Sequence, residues 1–337
     1  MNYTFSPYTI KGHTFKNRII MPPMCMYSAE ADGLATSFHA THYISRAVGG
    51  AGAIIMEATG VLPEGRLSEN DLGLWDDSQI QPLAGIVREV KKYGTLIGIQ
   101  LGHGGRKANV KANIYAPSAL QFSSDYKIPL EMTKQDIQRV IKAFGQAAQR
   151  ADQAGFDLIE LHGAHGYLIN QFLSPLTNHR TDEYGGSLLN RVRILGEILE
   201  EIQTYWPKEK LISVRVSALD YNGGNKAEDV AEMINLVKDK GIDIIHVSTG
   251  GVVPANIDAF PGYQTKPAET VKNLTSLPTI TGGLLLNIEM LEDILGNNRS
   301  DFVFLGRLLL RDPYFPLRAA AECGDDTAWP QQYLRAK

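Results

Sequence analysis

The sequence predicts an α/β protein built as a closed (β/α)8 barrel, a TIM barrel, and three observations carry that expectation. Eight short β-rich runs alternate with helical stripes, a pattern that implies right-handed crossovers and a parallel sheet. Eight such repeats within 337 residues favour closure over an open doubly wound sheet. Strands with period-two alternation carry apolar residues on one face and polar ones on the other, as barrel strands under an outer layer of helices do.

In chain order, Met1–Arg18 is a polar and aromatic lead-in expected to cap the barrel bottom. The expected strands are Ile19–Met21, Ala53–Met56, Leu96–Gln100, Leu158–Leu161, Leu211–Val216, Ile242–Val247, Thr279–Ile280 and Phe302–Leu305. Helical stripes fall between them: Ile80, Leu83, Ile86, Val87, Val90; Ile137, Val140, Ile141, Phe144; Leu195, Ile198, Leu199, Ile202; Val230, Met233, Ile234, Val237; and Ile288, Leu291, Ile294, Leu295. Thr133 with Asp136 reads as the capping pair of the longest helix. In the third strand Ile97, Ile99 and Leu101 alternate with Gly98, Gln100 and Gly102; in the fifth, Ile212, Val214 and Val216 alternate with Ser213, Arg215 and Ser217. Arg106–Met132 is a long loop after the third strand, and such excursions are more often site covers than linkers. A single domain over residues 1–337 is expected.

Lys and Arg number 33 against 37 Asp and Glu, a net charge of −4, so nothing draws the chain to nucleic acid or to an anionic membrane. No apolar run approaches the roughly 18 residues of a membrane span, and the start lacks the apolar core of a signal peptide. Two cysteines, Cys25 and Cys323, are too few for a disulfide framework. A cytoplasmic protein acting on small molecules is expected.

Barrel enzymes place their chemistry at the C-terminal ends of the strands. Those ends carry Cys25 and Tyr27, Ala58, Gln100 with His103 and Lys107, the run His162–Tyr167, and Arg215. An inward guanidinium at Arg215 requires an anionic or strongly polar partner. His162 and His165, three residues apart just past a strand, can face one ligand. They could be zinc ligands, with Glu160, His103 or His246 as the third, or hydrogen-bond donors to a carbonyl or nitro oxygen. Tyr167, a phenol with an ordinary pKa near 10, would then be a proton donor beside them. Thr281-Gly282-Gly283 after the seventh strand and Leu305-Gly306-Arg307 after the eighth form a phosphate-binding pattern.

The block from His162 through Pro175, continuing through Asn178, Arg180-Thr181-Asp182, Tyr184-Gly185-Gly186-Ser187 and Asn190-Arg191, resembles the signature of the old yellow enzymes. Pro23–Tyr27, Gln100–Lys107 and Gln332–Arg335 are similar to the thermophilic-like bacterial ene-reductases within that family. The resemblance implies tightly bound FMN and reduction by NADPH in preference to NADH. Hydride would then pass from flavin N5 to activated C=C bonds of unsaturated carbonyl, nitro or quinone-type acceptors, a detoxifying chemistry. It implies that Pro22, Pro23, Met24 and Cys25 line the flavin and that Ala58 and Gln100 hold its pyrimidine edge. Arg215 would stand by N1 and O2, and Gly283, Gly306 and Arg307 would hold the phosphate. His162 and His165 would grip the acceptor, Tyr167 would protonate it, and Tyr27 and Lys107 would line its pocket. No resident metal is implied. Pro22 departs from the small residue usual there. The tail Trp329–Arg335 would pack on the barrel bottom or side, or place Arg335 in the site of a neighbouring protomer of a homodimer or dimer of dimers. The competing readings are a zinc-dependent barrel lyase or hydrolase and a flavin-binding redox sensor built on Cys25.

Overall fold

In the computed structural model, which describes residues 2–325 and 329–336, eight parallel strands close on themselves. They are β1 (Ile19–Met21), β2 (Ala53–Gly60), β3 (Leu96–Gly102), β4 (Leu158–Gly163), β5 (Leu211–Ser217), β6 (Ile244–Ser248), β7 (Thr279–Thr281) and β8 (Phe302–Phe304). Each pairs with its sequence neighbours, and β8 closes the ring on β1 through Val303 opposite Ile19 and Phe304 opposite Ile20. The flanking helices are α1 (Ser37–Val48), α2 (Ile80–Lys91), α3 (Lys134–Gln153), α4 (Leu188–Ile202), α5 (Ala227–Val237), α6 (Thr265–Thr275), α7 (Ile288–Gly296) and α8 (Phe315–Glu322). The (β/α)8 expectation holds, and so does the capping box of α3: Thr133 Oγ1 accepts from Asp136 N while Asp136 Oδ2 accepts from Thr133 N. Among the described residues, no helix is long and apolar enough to cross a membrane.

Three differences from the sequence expectation have local causes. The helices α1, α6 and α8 carry no stripe of large aliphatic residues; α1 buries His39, His42, Tyr43 and Arg46 instead, which hydropathy does not flag. Strand β2 continues four residues past Met56 because its register against β3 shifts between Met56 and Ala58, a bulge at Glu57 that breaks the period-two signal. The sixth strand begins at Ile244; Ile242 is buried ahead of it.

The barrel is stratified. The foot of its interior is apolar, with Ile20, Ile55, Leu158, Leu211, Ile244, Ile280 and Phe302 packed together. The lead-in closes that foot as a hairpin, Tyr8–Ile10 with His13–Phe15, turned by two positive-φ residues, Lys11 and Gly12. Its Phe15 ring lies tilted against that of Phe302, 4.6 Å between centres, and burying such a ring contributes about 1.5–3 kcal/mol. Higher up, the inward positions become polar: Gln100, Glu160, Ser213 and His246, then His162 and Arg215. The opposite phase, including Ile97, Ile99, Leu101, Ile212, Val214 and Val216, packs against the helices.

The long loop after β3 opens with a single turn, Gly105–Lys107, and is braced by a parallel two-residue ribbon, Tyr115–Ala116 with Leu130–Glu131. Arg106 ties it to the β6 loop by donating to Val252 O and Leu120 O.

Candidate active site

The loop after β1 is shaped by a carboxylate that sequence reading did not single out. Glu57, fully buried at the bulge of β2, accepts from Met26 N (2.7 Å) and from Tyr43 Oη (3.0 Å), while Tyr43 Oη accepts Glu57 N (2.9 Å). That anchor holds Pro22, Pro23, Met24 and Cys25 along the rim, and Tyr27 follows in a left-handed conformation (φ 52) and largely exposed. Burial, with Asp71 and Glu57 nearby, pushes the Cys25 thiol well above its usual range; the Ala58 backbone and the Tyr27 phenol lie within its hydrogen-bonding reach. Ala58 in turn sits opposite Gln100 in the sheet register.

After β4, the run His162–Tyr167 is folded back by contacts from three other loops. His165 takes φ 58, with its N–H held by Ser217 Oγ (2.9 Å), and Gly166 follows at φ 76. A Cβ on Gly166 would lie 2.0 Å from Gly251 O, so this close approach of two loops admits only glycine. Asn170 Oδ1 accepts Gly166 N, and Gln171 donates to Gly104 O and Gly166 O, which gives two residues of the long signature block a structural role. The outcome is a cluster: the His162 ring lies 4.8 Å from that of Tyr167 and 5.2 Å from that of His165.

Both imidazoles are neutral. Burial, then the Arg215 charge, drives the pKa of each well below the ordinary histidine value. Ala164 N donates to His162 Nδ1 (3.4 Å), so the ring proton stands on Nε2; His165 Nε2 meets Ser248 Oγ at 2.7 Å. The Tyr167 phenol is raised far above its usual value by burial and by Cys25 and Tyr27, and is neutral as well. Lys107, pushed down to about 8 by burial, spends its ammonium on His165 O (2.7 Å) and Gly251 O (3.1 Å) and lies 5.1 Å from the centre of the Tyr167 ring. It therefore fixes the positive-φ histidine.

Beside this cluster lies a cavity of about 360 Å³ lined by His165, Met24, Arg215, Gly283, Gly306 and Arg307, among others. Gly283 (φ 94) lies under the Tyr263 ring, and a Cβ on Gly306 would stand 3.2 Å from Met24 Sδ and 3.7 Å from Pro22 Cγ. The β1, β7 and β8 loops thus meet around it. Three of its lining residues carry buried polar atoms with no hydrogen-bond partner in the protein: Arg215 Nε, Thr249 Oγ1 and Gln264 Oε1. A glycine–arginine cradle, orphaned donors and acceptors, and a cation at the polar end fit FMN, whose phosphate, polyol and pyrimidine edge need those partners. Pro22, Pro23, Cys25, Ala58 and Gln100 are not among the residues that line this cavity. Sequence reading did not find Ser248, Thr249, Tyr263 or Gln264; the first two sit at a strand end, where such a signal was available, but the other two lie in a loop without any.

Arg335 does not line this cavity within the chain. Trp329–Gln332 border a cavity with Lys16, Ala47, Val48, Lys92 and Tyr93 near the foot of the barrel, and Arg335 is exposed. The zinc alternative finds no third ligand: among the described residues no three His, Cys, Asp or Glu side chains converge on one point. His103 Nδ1 accepts Gly105 N, and Glu160 and His246 bond each other inside the barrel.

Comparison with known proteins agrees with this geometry. Residues 4–326 match the model of the NADH:flavin oxidoreductase / NADH oxidase family. An NADPH dehydrogenase of Clostridium acetobutylicum is 53% identical over 335 residues, covering 98% of each chain. Another, from Geobacillus thermodenitrificans, is 50% identical over 333 residues, 98% of this chain and 97% of that one. Among solved structures, the old yellow enzyme homologue of Zymomonas mobilis superposes with a TM-score of 0.82 at 29% identity, over 95% of this chain and 92% of that one. A 2-naphthoyl-CoA reductase superposes at 0.90 and 25% identity over 96% of this chain, which spans only about half (52%) of that longer enzyme.

Proposed function

The chain belongs to the NADH:flavin oxidoreductase / NADH oxidase family, the old yellow enzymes, and on that premise we propose that it is an FMN-dependent NADPH dehydrogenase that reduces activated C=C bonds. The observation that carries the acceptor class is the neutral triad His162, His165 and Tyr167 beside the cavity. Two uncharged imidazoles donate to one acceptor oxygen of an enone, enal, nitroalkene or quinone, and neutral donors polarise it without protonating it.

The chemistry supplied by bound FMN is hydride relay from NADPH to the β-carbon of the acceptor. The chain's own residues do the rest. Gly283, Gly306 and Arg307 hold the phosphate, and Arg215 holds the polar edge of the ring with Gln100 and the Ala58 backbone. Pro22, Pro23, Met24 and Cys25 form the wall beside the ring. His162 and His165 orient the acceptor and carry the charge that builds on its oxygen. Tyr167 Oη delivers the proton to the α-carbon and is reprotonated from solvent; Tyr27 borders the entrance, and Lys107 holds the His165 loop. A Cys25 sensor is disfavoured by the same chemistry that makes its pKa high, since the thiol and not the reactive thiolate is present. Tight FMN binding, preference for NADPH and a detoxifying role in the cytoplasm complete the reading. The test is anaerobic NADPH consumption by the yellow protein with a panel of enones, nitroalkenes and quinones. Flavin reduction that no such acceptor reoxidises would overturn the acceptor class.

His162→Ala and His165→Ala are each expected to weaken binding of phenolate anions about tenfold or more, because a charge-assisted hydrogen bond is worth roughly 1.5–3 kcal/mol. FMN content should hold. Titration of the visible flavin band with a substituted phenol reads the effect, and unchanged affinity in both variants would remove the pair from the acceptor site.

The tail supports an assembly. Tyr333 and Leu334 are 38% and 52% exposed, so the last residues leave apolar surface uncovered in the single chain. In the proposed homodimer or dimer of dimers, Arg335 completes the acceptor site of the neighbouring protomer. Deleting Tyr333–Lys337 should leave FMN bound, raise KM for acceptors several-fold and weaken association in sedimentation. A deletion variant with parental KM and mass would end the idea.

A further inference from the structure

Beneath the residues assigned to the flavin stands a buried charge that the mechanism above does not use. Glu160, fully buried midway along β4, points into the barrel and accepts three hydrogen bonds from three different strands. Gln100 Nε2 of β3 donates to Oε1 (2.8 Å); Ser213 Oγ of β5 (3.0 Å) and His246 Nδ1 of β6 (2.9 Å) meet Oε2. Burial alone would raise its pKa, but the hydrogen bonds from His246 and Ser213 and the Arg215 charge outweigh it, so the carboxylate is ionised.

Ionisation settles the orientation of its neighbours, because a carboxylate can only accept. Gln100 has to present its amide nitrogen to Glu160, so its carbonyl Oε1 is the end left to face away from the carboxylate. His246, whose pKa burial and Arg215 lower to about 4, is neutral and must carry its single proton on Nδ1. Its bare Nε2 has no partner. Arg215, opposite His246 in the register and one of the arginines lining the cavity, is the positive charge that acts on this anion.

We propose that Glu160 is a positioning residue of the flavin site, which turns the Gln100 amide so that its carbonyl serves the cofactor and partly offsets the Arg215 charge. The consequence is a signed one. Arg215 alone would favour the reduced, more negative flavin; the carboxylate behind it restrains that effect and holds the potential lower. The inference rests on the reading that Arg215 and Gln100 hold FMN.

The experiment measures the FMN potential by dye equilibration and the visible spectrum of wild type, Glu160→Gln, Glu160→Asp and Arg215→Ala holoprotein. Glu160→Gln removes the charge at constant size and is expected to raise the preference for reduced over oxidised FMN about tenfold, a rise of about 30 mV for a two-electron couple. Arg215→Ala should move it the opposite way. Glu160→Asp keeps the charge but withdraws it from Gln100, so its potential should stay nearer wild type while its affinity for oxidised FMN falls; it also serves if the glutamine variant does not fold. A Glu160→Gln potential equal to or below wild type, or a Glu160→Asp potential that rises as far as that of a charge-free variant, would overturn the proposal. Wild-type protein that binds no FMN would instead defeat the flavin reading itself.

Discussion

Tyr167→Phe is expected to slow acceptor reduction by about 10²–10⁴-fold while NADPH still reduces the bound flavin at the parental rate. The phenol is the proton donor of the proposed reaction: its ring lies 4.8 Å from that of His162, and it opens the short helix Leu168–Leu173. Burial first, and then Cys25 and Tyr27, keep it protonated well above the ordinary tyrosine value near 10. Proton delivery should therefore persist as pH rises through 10, since ionisation of the donor begins only at its raised pKa. Phenylalanine keeps the ring packing and removes only the hydroxyl, so stopped-flow rates of the two half-reactions separate chemistry from folding. Equal slowing of both, or of neither, would reassign the proton donor.

Arg215→Ala should lower the flavin potential by about 60–90 mV and slow flavin reduction by NADPH. Arg215 is buried on β5 between His162 and His246, with Nε unpartnered and its guanidinium 5.5 Å from the centre of the Phe304 ring. A preorganised donor in such a shielded site is worth about 2.7–4 kcal/mol, and 1.4 kcal/mol corresponds to about 30 mV for two electrons. The potential of FMN-loaded variant decides it; a value within error of wild type would separate Arg215 from the ring.

The sequence was most informative where the signal is local. Period-two alternation in Leu96–Gly102 and Leu211–Ser217 distinguishes the face packed on helices from the face inside the barrel, because successive side chains of a strand point to opposite sides. The wider alternation of β-rich and helical runs located all eight barrel strands to within a few residues. Period two failed at Glu57, where the bulge puts two residues against one and the alternation no longer reports direction. Hydropathy failed at α1, whose buried side chains are polar and whose role depends on Glu57, fourteen residues beyond Tyr43.

By itself, then, the sequence determined the barrel, the end of it that carries chemistry, and the candidate residues His162, His165, Tyr167, Arg215, Gly283, Gly306 and Arg307. Each is legible from its distance to a strand end or from a family pattern written in consecutive residues. What only the tertiary structure decided is the state of those residues. The neutral imidazoles, the bonding of His165 to Ser248, the grip of Lys107 on His165 O and Gly251 O, and the Glu160 contacts to Gln100, Ser213 and His246 join groups dozens of positions apart. Desolvation and charge act through space, so a protonation state or a donor's direction depends on which strands the closed sheet sets side by side, and no local pattern encodes that.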